Sequence, residues 1–175
     1  MSTVTQIEQA IPTGTWKLDP VHSQVGFAVK HNAIALFKGG FDEVEATLAD
    51  GTLHGAAAVR SIRVQDENLG GHLLSPDFFD AERFPLIRFS STGLRRQGDA
   101  FEADGELELK GVRRPIHLTG TISGPAAGRI GISLETVVDR TEFGVDWNME
   151  LPGGGFVLEN EVRLTADLEL VQEEA

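Results

Sequence analysis

The chain contains no cysteine. That excludes disulfides, thiolate zinc sites, iron–sulfur clusters and a cysteine nucleophile, and it fits a reducing compartment. Basic residues are scarce: 15 Lys and Arg stand against 27 Asp and Glu, for a formal net charge of -12. So acidic a surface repels phosphate backbones and anionic membranes. Nucleic acid is therefore not an expected partner, and membrane contact is expected to be transient at most. No stretch of roughly 18 apolar residues occurs, so no spanning helix is predicted. Met1–Thr13 carries neither Lys nor Arg and no apolar run. It reads as a flexible tail, residues 1–13, ahead of one barrel domain over 14–175, and not as a secretory signal. The expected location is the cytoplasm. A homodimer remains compatible with the sequence.

Catalytic signatures are equally sparse. The five histidines are His22, His31, His54, His72 and His117, and no His-x-His or His-x-x-x-His pair occurs. No metal site is expected from that spacing. Asp19, His22 and Ser23 hold the residue types of a hydrolytic triad, but adjacent residues point to opposite faces of a strand and no nucleophile elbow is present. Gly153-Gly154-Gly155 lacks the lysine and helix of a phosphate-binding loop and reads as a flexible hairpin. No catalytic residue and no cofactor are assigned, and the chain is not expected to be an enzyme.

Strict alternation of apolar and polar residues dominates what is present. Phe101, Ala103, Gly105, Leu107 and Leu109 share one face, and Glu102, Asp104, Glu106, Glu108 and Lys110 share the other. Leu158 to Leu170 repeats the pattern, as do segments around Val25, Ile116 and Ile132. Such regularity needs one dry face and one wet face. Eight strands are predicted, near 15–31, 36–49, 52–64, 85–97, 100–110, 114–124, 129–140 and 156–171. Turn signals such as Asp50-Gly51, Gly98-Asp99 and Gly124-Pro125 separate them. The segment from about Gln65 to Pro85 breaks the alternation. Ser75-Pro76-Asp77 there has the order of a helix start: N-cap, proline, acidic first turn. A short helix carrying Phe78 and Phe79 is predicted, making a crossover between the third and fourth strands. The all-β fold expected is an eight-stranded antiparallel up-and-down barrel, since closure removes exposed edges.

The inward faces mix bulky residues with small ones and lack titratable groups. Two readings of the interior stand: an open apolar lumen, and a packed barrel with glycines at its bends. A tilted strand of this length gives a tunnel of about 30 Å, which suits an elongated hydrocarbon. The expected contacts are Phe27, Phe37, Phe41, Phe78, Phe79, Phe84, Phe89, Phe143 and Trp147, with Val25, Val29, Ala103, Leu107, Leu118, Leu134 and Leu164. A polar rim of His31, His72 and Arg140 is expected. Arg140 either anchors a polar head group or pairs with Asp139, Glu142 or Asp146, and the ion pair is the preferred reading. Two rival functions remain: an isomerase or cyclase, which needs an acid or base in the lumen, and a ligand-free stress or interaction protein with a solid barrel.

Four stretches carry a resemblance. They are Trp16-Lys17-Leu18-Asp19-Pro20-Val21-His22-Ser23 continuing to Gly40-Phe41; His72-Leu73-Leu74-Ser75-Pro76-Asp77-Phe78-Phe79-Asp80 with Phe84-Pro85; Gly105-Glu106-Leu107 with Leu109-Lys110-Gly111-Val112 and Arg114-Pro115; and Asp139-Arg140-Thr141-Glu142-Phe143-Gly144. In this order they resemble the YceI-like family of polyisoprenoid-binding, lipocalin-like proteins. The resemblance implies an extended eight-stranded barrel whose tunnel holds an isoprenoid chain, in some members a quinone. The function it implies is non-enzymatic binding, sequestration or transport of that ligand. Many relatives are secreted, whereas the expectation for this chain is the cytoplasm.

Overall fold

Alternating strands each have one face to bury, and the chain meets that demand by curling a single sheet onto itself. The computed structural model describes residues 10–174. Eleven strands occur among them: β1 Thr15–Leu18, β2 Gln24–His31, β3 Ala35–Phe41, β4 Val44–Ala49, β5 Thr52–Ala58, β6 Ile62–Arg63, β7 Leu86–Gln97, β8 Ala100–Leu109, β9 Val112–Ala126, β10 Arg129–Asp139 and β11 Leu158–Gln172. They form eight staves, because the first three predicted strands are each broken once. A 3-10 turn at Pro20–His22 separates β1 from β2, and another at Val59–Ser61 separates β5 from β6. Pro20 has no N–H for a ladder, and Asp19 caps the turn by accepting from the Val21 amide at 3.0 Å.

All pairings are antiparallel, and β1 closes the barrel by pairing with both β4 and β11. Most of the expected tail lies outside the described residues. Residues 10–13 form no strand, and the Thr13 carbonyl accepts from Trp16 Nε1 at 2.9 Å.

The wall is complete at one end and slit at the other. Only Gly40 and Phe41 of β3 pair with β6, so the stretch Ala35–Gly39 has no strand on its far side. The crossover covers this gap. At Gly39 the fit is so close that a Cβ would come within 3.0 Å of Val64 Cγ1 and overlap the Phe27 ring.

The crossover helix is not where the sequence placed it. Helix α1 spans Glu67–Leu74, and Asp66 is its N-cap, accepting from Asn68 and Leu69 amides at 2.8 and 3.0 Å. Ser75 ends it, with Ser75 Oγ donating to the His72 carbonyl at 2.6 Å. Asp66 followed by Glu67 offers the same start signal, a capping side chain and an acidic first turn, as Ser75-Pro76-Asp77. Proline is common shortly after a helix C-cap as well as at the first helical position, which is how Pro76 misleads. Phe78 and Phe79 therefore sit in the turns that follow α1.

A charge cluster locks the kink between β1 and β2 onto β11. Asp19 Oδ2 lies 2.8 Å from His22 Nδ1 and 3.0 Å from Arg129 Nη1, while Arg129 also holds Glu169 at 2.7 Å. The hydrogen bond from His22, then that from Arg129, holds the Asp19 carboxyl far below the ordinary carboxylate range. Asp19, by hydrogen bond and charge, and Glu169 raise the His22 imidazole. The raised His22 value stabilises the fold fully below the unfolded value of about 6.5, and that support is lost as pH rises through the folded value. The lowered Asp19 value contributes above about pH 4 and is lost on acidification. The melting-temperature difference between wild type and His22→Gln should therefore be larger at about pH 6 than at about pH 9. A difference independent of pH would show that the imidazolium contributes nothing.

Candidate functional site

The barrel interior divides along its axis. Near the hairpin that joins β7 to β8, Trp16, Leu48, Phe101, Ile122, Ile130 and Leu170 are buried against one another in a solid core. Toward the crossover the same strands separate around a cavity of about 650 Å³. Its wall is apolar. Val25, Phe27 and Val29 come from β2, Phe37 and Phe41 from β3, Phe89 from β7, Leu107 from β8, Leu118 from β9, Leu134 from β10, and Leu164 and Ala166 from β11. Leu53 and Leu168 belong to both the cavity wall and the solid core, so they form a floor.

On β11 the lining runs from Leu158 to Leu168. Ten residue-to-residue steps of about 3.3 Å each, tilted by about 40°, give a depth of roughly 25 Å. The expected tunnel is thus a blind pocket, hollow at one end and packed at the other. Both readings of the interior hold, each for one half.

Two aromatic groups shape the pocket. Phe27 stacks near Phe37 and Phe41 with centroids 6.2 and 5.9 Å apart, and Phe41 meets Phe79 edge-on at 6.0 Å. Over the crossover end, His72, Phe78 and Trp147 form a cap with centroids 4.9 to 5.2 Å apart. Leu69 and Leu73 of α1 back this cap. His31, Ala35 and Leu36 line the pocket and are exposed, which places its rim at the hairpin between β2 and β3.

Of the residues expected to contact ligand, Phe84, Ala103 and Phe143 lie outside this lining. Phe84 packs on the β8–β9 turn, where a Cβ at Gly111 would approach its ring to 2.6 Å, and Arg83 sits 5.1 Å from its centroid. Ala103 points inward but into the solid half, fully buried. Phe143 supports the cluster of Leu73, Phe78, Leu107 and Val145 from behind. The sequence reading missed Leu69 and Leu73. Their i, i+4 spacing was the available signal, hidden by the misplaced helix and by Gly70-Gly71 between them.

The three rim residues differ in kind. His72 Nε2 lies 3.1 Å from Asp77 Oδ2, and its ring belongs to the cap. Arg140 is buried, with 5% of its surface exposed. Its Nε donates to the Glu159 carbonyl at 2.9 Å, and Nη1 donates to the carbonyls of Val145 and Trp147 at 2.7 and 2.9 Å. The expected ion pair is absent among the described residues. Asp139 instead accepts from the Thr141 amide and hydroxyl at 2.9 and 2.5 Å. Burial pushes the Arg140 guanidinium below its ordinary value, and the more distant charges of Asp139 and Asp146 oppose this. Titratable strand residues His31, Glu45, His54 and Arg88 border the cavity but are exposed, whereas the turn after β10 places a buried cation, Arg140, in its wall.

His22, His31 and His72 are not brought together, since His22 joins the Asp19–Glu169 cluster. Asp19, His22 and Glu169 have ligand-type atoms within 4.8 Å of one another. Arg129 already supplies a cation to both carboxylates.

These features define a closed antiparallel barrel of lipocalin-like form with a capped apolar pocket. The YceI-like domain family matches residues 16–170. The chain belongs to the YceI-like family. It is 29% identical over 164 residues to a UPF0312 protein of Staphylococcus aureus (strain USA300), covering 86% of this chain and 94% of that protein. Among solved structures it is similar to BcnA of Burkholderia cenocepacia, with a TM-score of 0.75 and 18% identity over 87% of this chain and 98% of that one. A polyisoprenoid binding domain from Saccharophagus degradans also gives a TM-score of 0.75, with 14% identity over 90% and 98% of the two chains. At these identities the structural likeness speaks for the fold.

Proposed function

We propose that the chain is a non-catalytic carrier that holds a long isoprenoid lipid, a polyisoprenoid or isoprenoid quinone, in the capped pocket. The observation that carries this reading is the pocket itself: deep, narrow, walled by aliphatic and aromatic side chains, and closed at one end by a solid core. A membrane lipid already lies in hydrocarbon, so transfer gains far less than the about 0.8 kcal/mol per methylene of leaving water. A modest net preference is what a carrier needs, because it must release its cargo. The polyisoprenoid binding named for the Saccharophagus domain supports this choice of ligand. Among the described residues Arg140 is the one buried ionisable group in the wall, and a guanidinium offers no base for an isomerase; the half-buried His72 and the exposed His31 also line the pocket. The absence of cysteine supports work in the cytoplasm, and no described helix is long and apolar enough to cross a membrane.

Protein purified from cells should release a hydrophobic compound into organic solvent, and native mass spectrometry should show the matching adduct. Only the bare polypeptide mass, from several hosts and after incubation with an isoprenoid quinone, would sink the proposal.

A further inference from the structure

We infer that Arg140 anchors an oxygen-bearing head group, so that the pocket selects amphiphiles with a carbonyl, carboxylate or phosphate oxygen at one end over plain hydrocarbons. This rests on the reading of the pocket as a lipid site and adds the ligand's head chemistry and its direction.

Three observations converge. Arg140 contributes to the wall of the pocket. It is almost fully buried with no carboxylate partner among the described residues, and its Nη2 is buried with no hydrogen-bond acceptor. The guanidinium cannot swing out to find one, because Nε and Nη1 are held by the carbonyls of Glu159, Val145 and Trp147. A buried, hydrogen-bonding cation left without an acceptor is costly, and an oxygen brought by a ligand removes that cost. Guanidinium nitrogens suit carboxylate and phosphate oxygens in particular.

Position then fixes direction. Arg140 follows β10 at the crossover end, and its Nη1 holds the backbone of Trp147, whose ring belongs to the cap. The head group would lie beneath that cap and the tail would run down toward Leu53 and Leu168. The chain's overall charge of -12 repels anions at long range, so any preference for an acidic head must arise locally.

The test uses the intact protein and four probes of one chain length: palmitate, hexadecyl phosphate, methyl palmitate and hexadecane, each displacing a fluorescent fatty-chain reporter. Palmitate or hexadecyl phosphate should bind at least tenfold more tightly than hexadecane, with the ester between. The more strongly favoured of the two acids shows which head chemistry the site takes. Arg140→Gln should erase the difference while keeping hexadecane affinity. Should that variant fail to fold, the two tryptophans serve in its place. A bromine beside the carboxylate, as in 2-bromopalmitate, should quench Trp147, and 16-bromopalmitate should not. Trp147→Phe identifies the quenched ring, leaving Trp16 beyond the floor. Equal affinity for all four probes would mean that water or nothing meets Nη2; it would overturn the inference and leave the carrier reading standing. Quenching of Trp147 by the tail-brominated acid alone would overturn the direction. Binding of none of the probes would remove both readings together.

Discussion

Gly120→Val should leave little folded barrel. Gly120 lies in β9 opposite Leu134 of β10. A Cβ there would overlap the carbonyl oxygen of Ser133 and come within 2.7 Å of its carbonyl carbon. The obstacle is backbone in the middle of a ladder that runs the length of the barrel, so no rotamer change relieves it. Valine must force β9 and β10 apart and break pairing on both sides of the contact. The expected loss is about 4 kcal/mol or more, a large share of the stability of an ordinary domain. Gly131 supplies the control, since a Cβ there meets nothing within 4 Å; Gly131→Ala should change stability by no more than about 0.5 kcal/mol. Thermal melts followed by circular dichroism compare the three proteins. A Gly120→Val protein that melts with wild type would mean that β9 and β10 do not pair in this register.

The second large effect separates two alanines that look alike in the sequence. Ala103 and Ala166 both alternate onto inward faces, yet Ala103 lies in the solid half and Ala166 lines the pocket. Ala103→Phe adds a ring where no space exists, and overpacking should cost about 1–3 kcal/mol. Ala166 touches the edge of the solid core but borders the pocket, so Ala166→Phe can place its ring in the open space there. Its stability should change little, while affinity for a long-chain ligand falls at least tenfold, about 1.4 kcal/mol. Calorimetry and a displacement assay on both variants give the crossed pattern or refute it. Full ligand affinity in Ala166→Phe would show that the chain does not descend past β11 at that level.

The barrel was legible because its rule is local. Alternation at period two identifies the strands, and glycine with aspartate or proline marks the hairpins between them. The breaks within the first three strands were less legible. Asp19-Pro20 marks one, but nothing local marks Val59–Ser61, where β6 turns to pair with β3. The site was legible in part for the same reason. Alternation tells which side chains point inward but not how far along the axis the interior is filled. Ala103 was misplaced on that account, since its depth depends on ladders with β7 and β9 rather than on its own neighbours in sequence. Phe84 and Phe143 lie where periodicity does not apply. Arg140 was visible as a charge in a recognisable motif, but not its lack of a carboxylate, because three backbone carbonyls replace the ion pair.

The division of the interior into a solid half and a hollow half bears on how the protein breathes. Amides deep in a packed core exchange their hydrogens only when the whole domain opens, whereas thinly supported regions open locally at smaller cost. A single long strand such as β10 passes through both regimes, with Ile130 and Ile132 in the solid core and Val138 beside the pocket. Protection should therefore fall along β10 from Ile130 to Val138 within one unbroken ladder. On the carrier reading proposed above, a ligand would enter by the loose end, with its slit and its capping crossover, while the far end keeps the register of every strand.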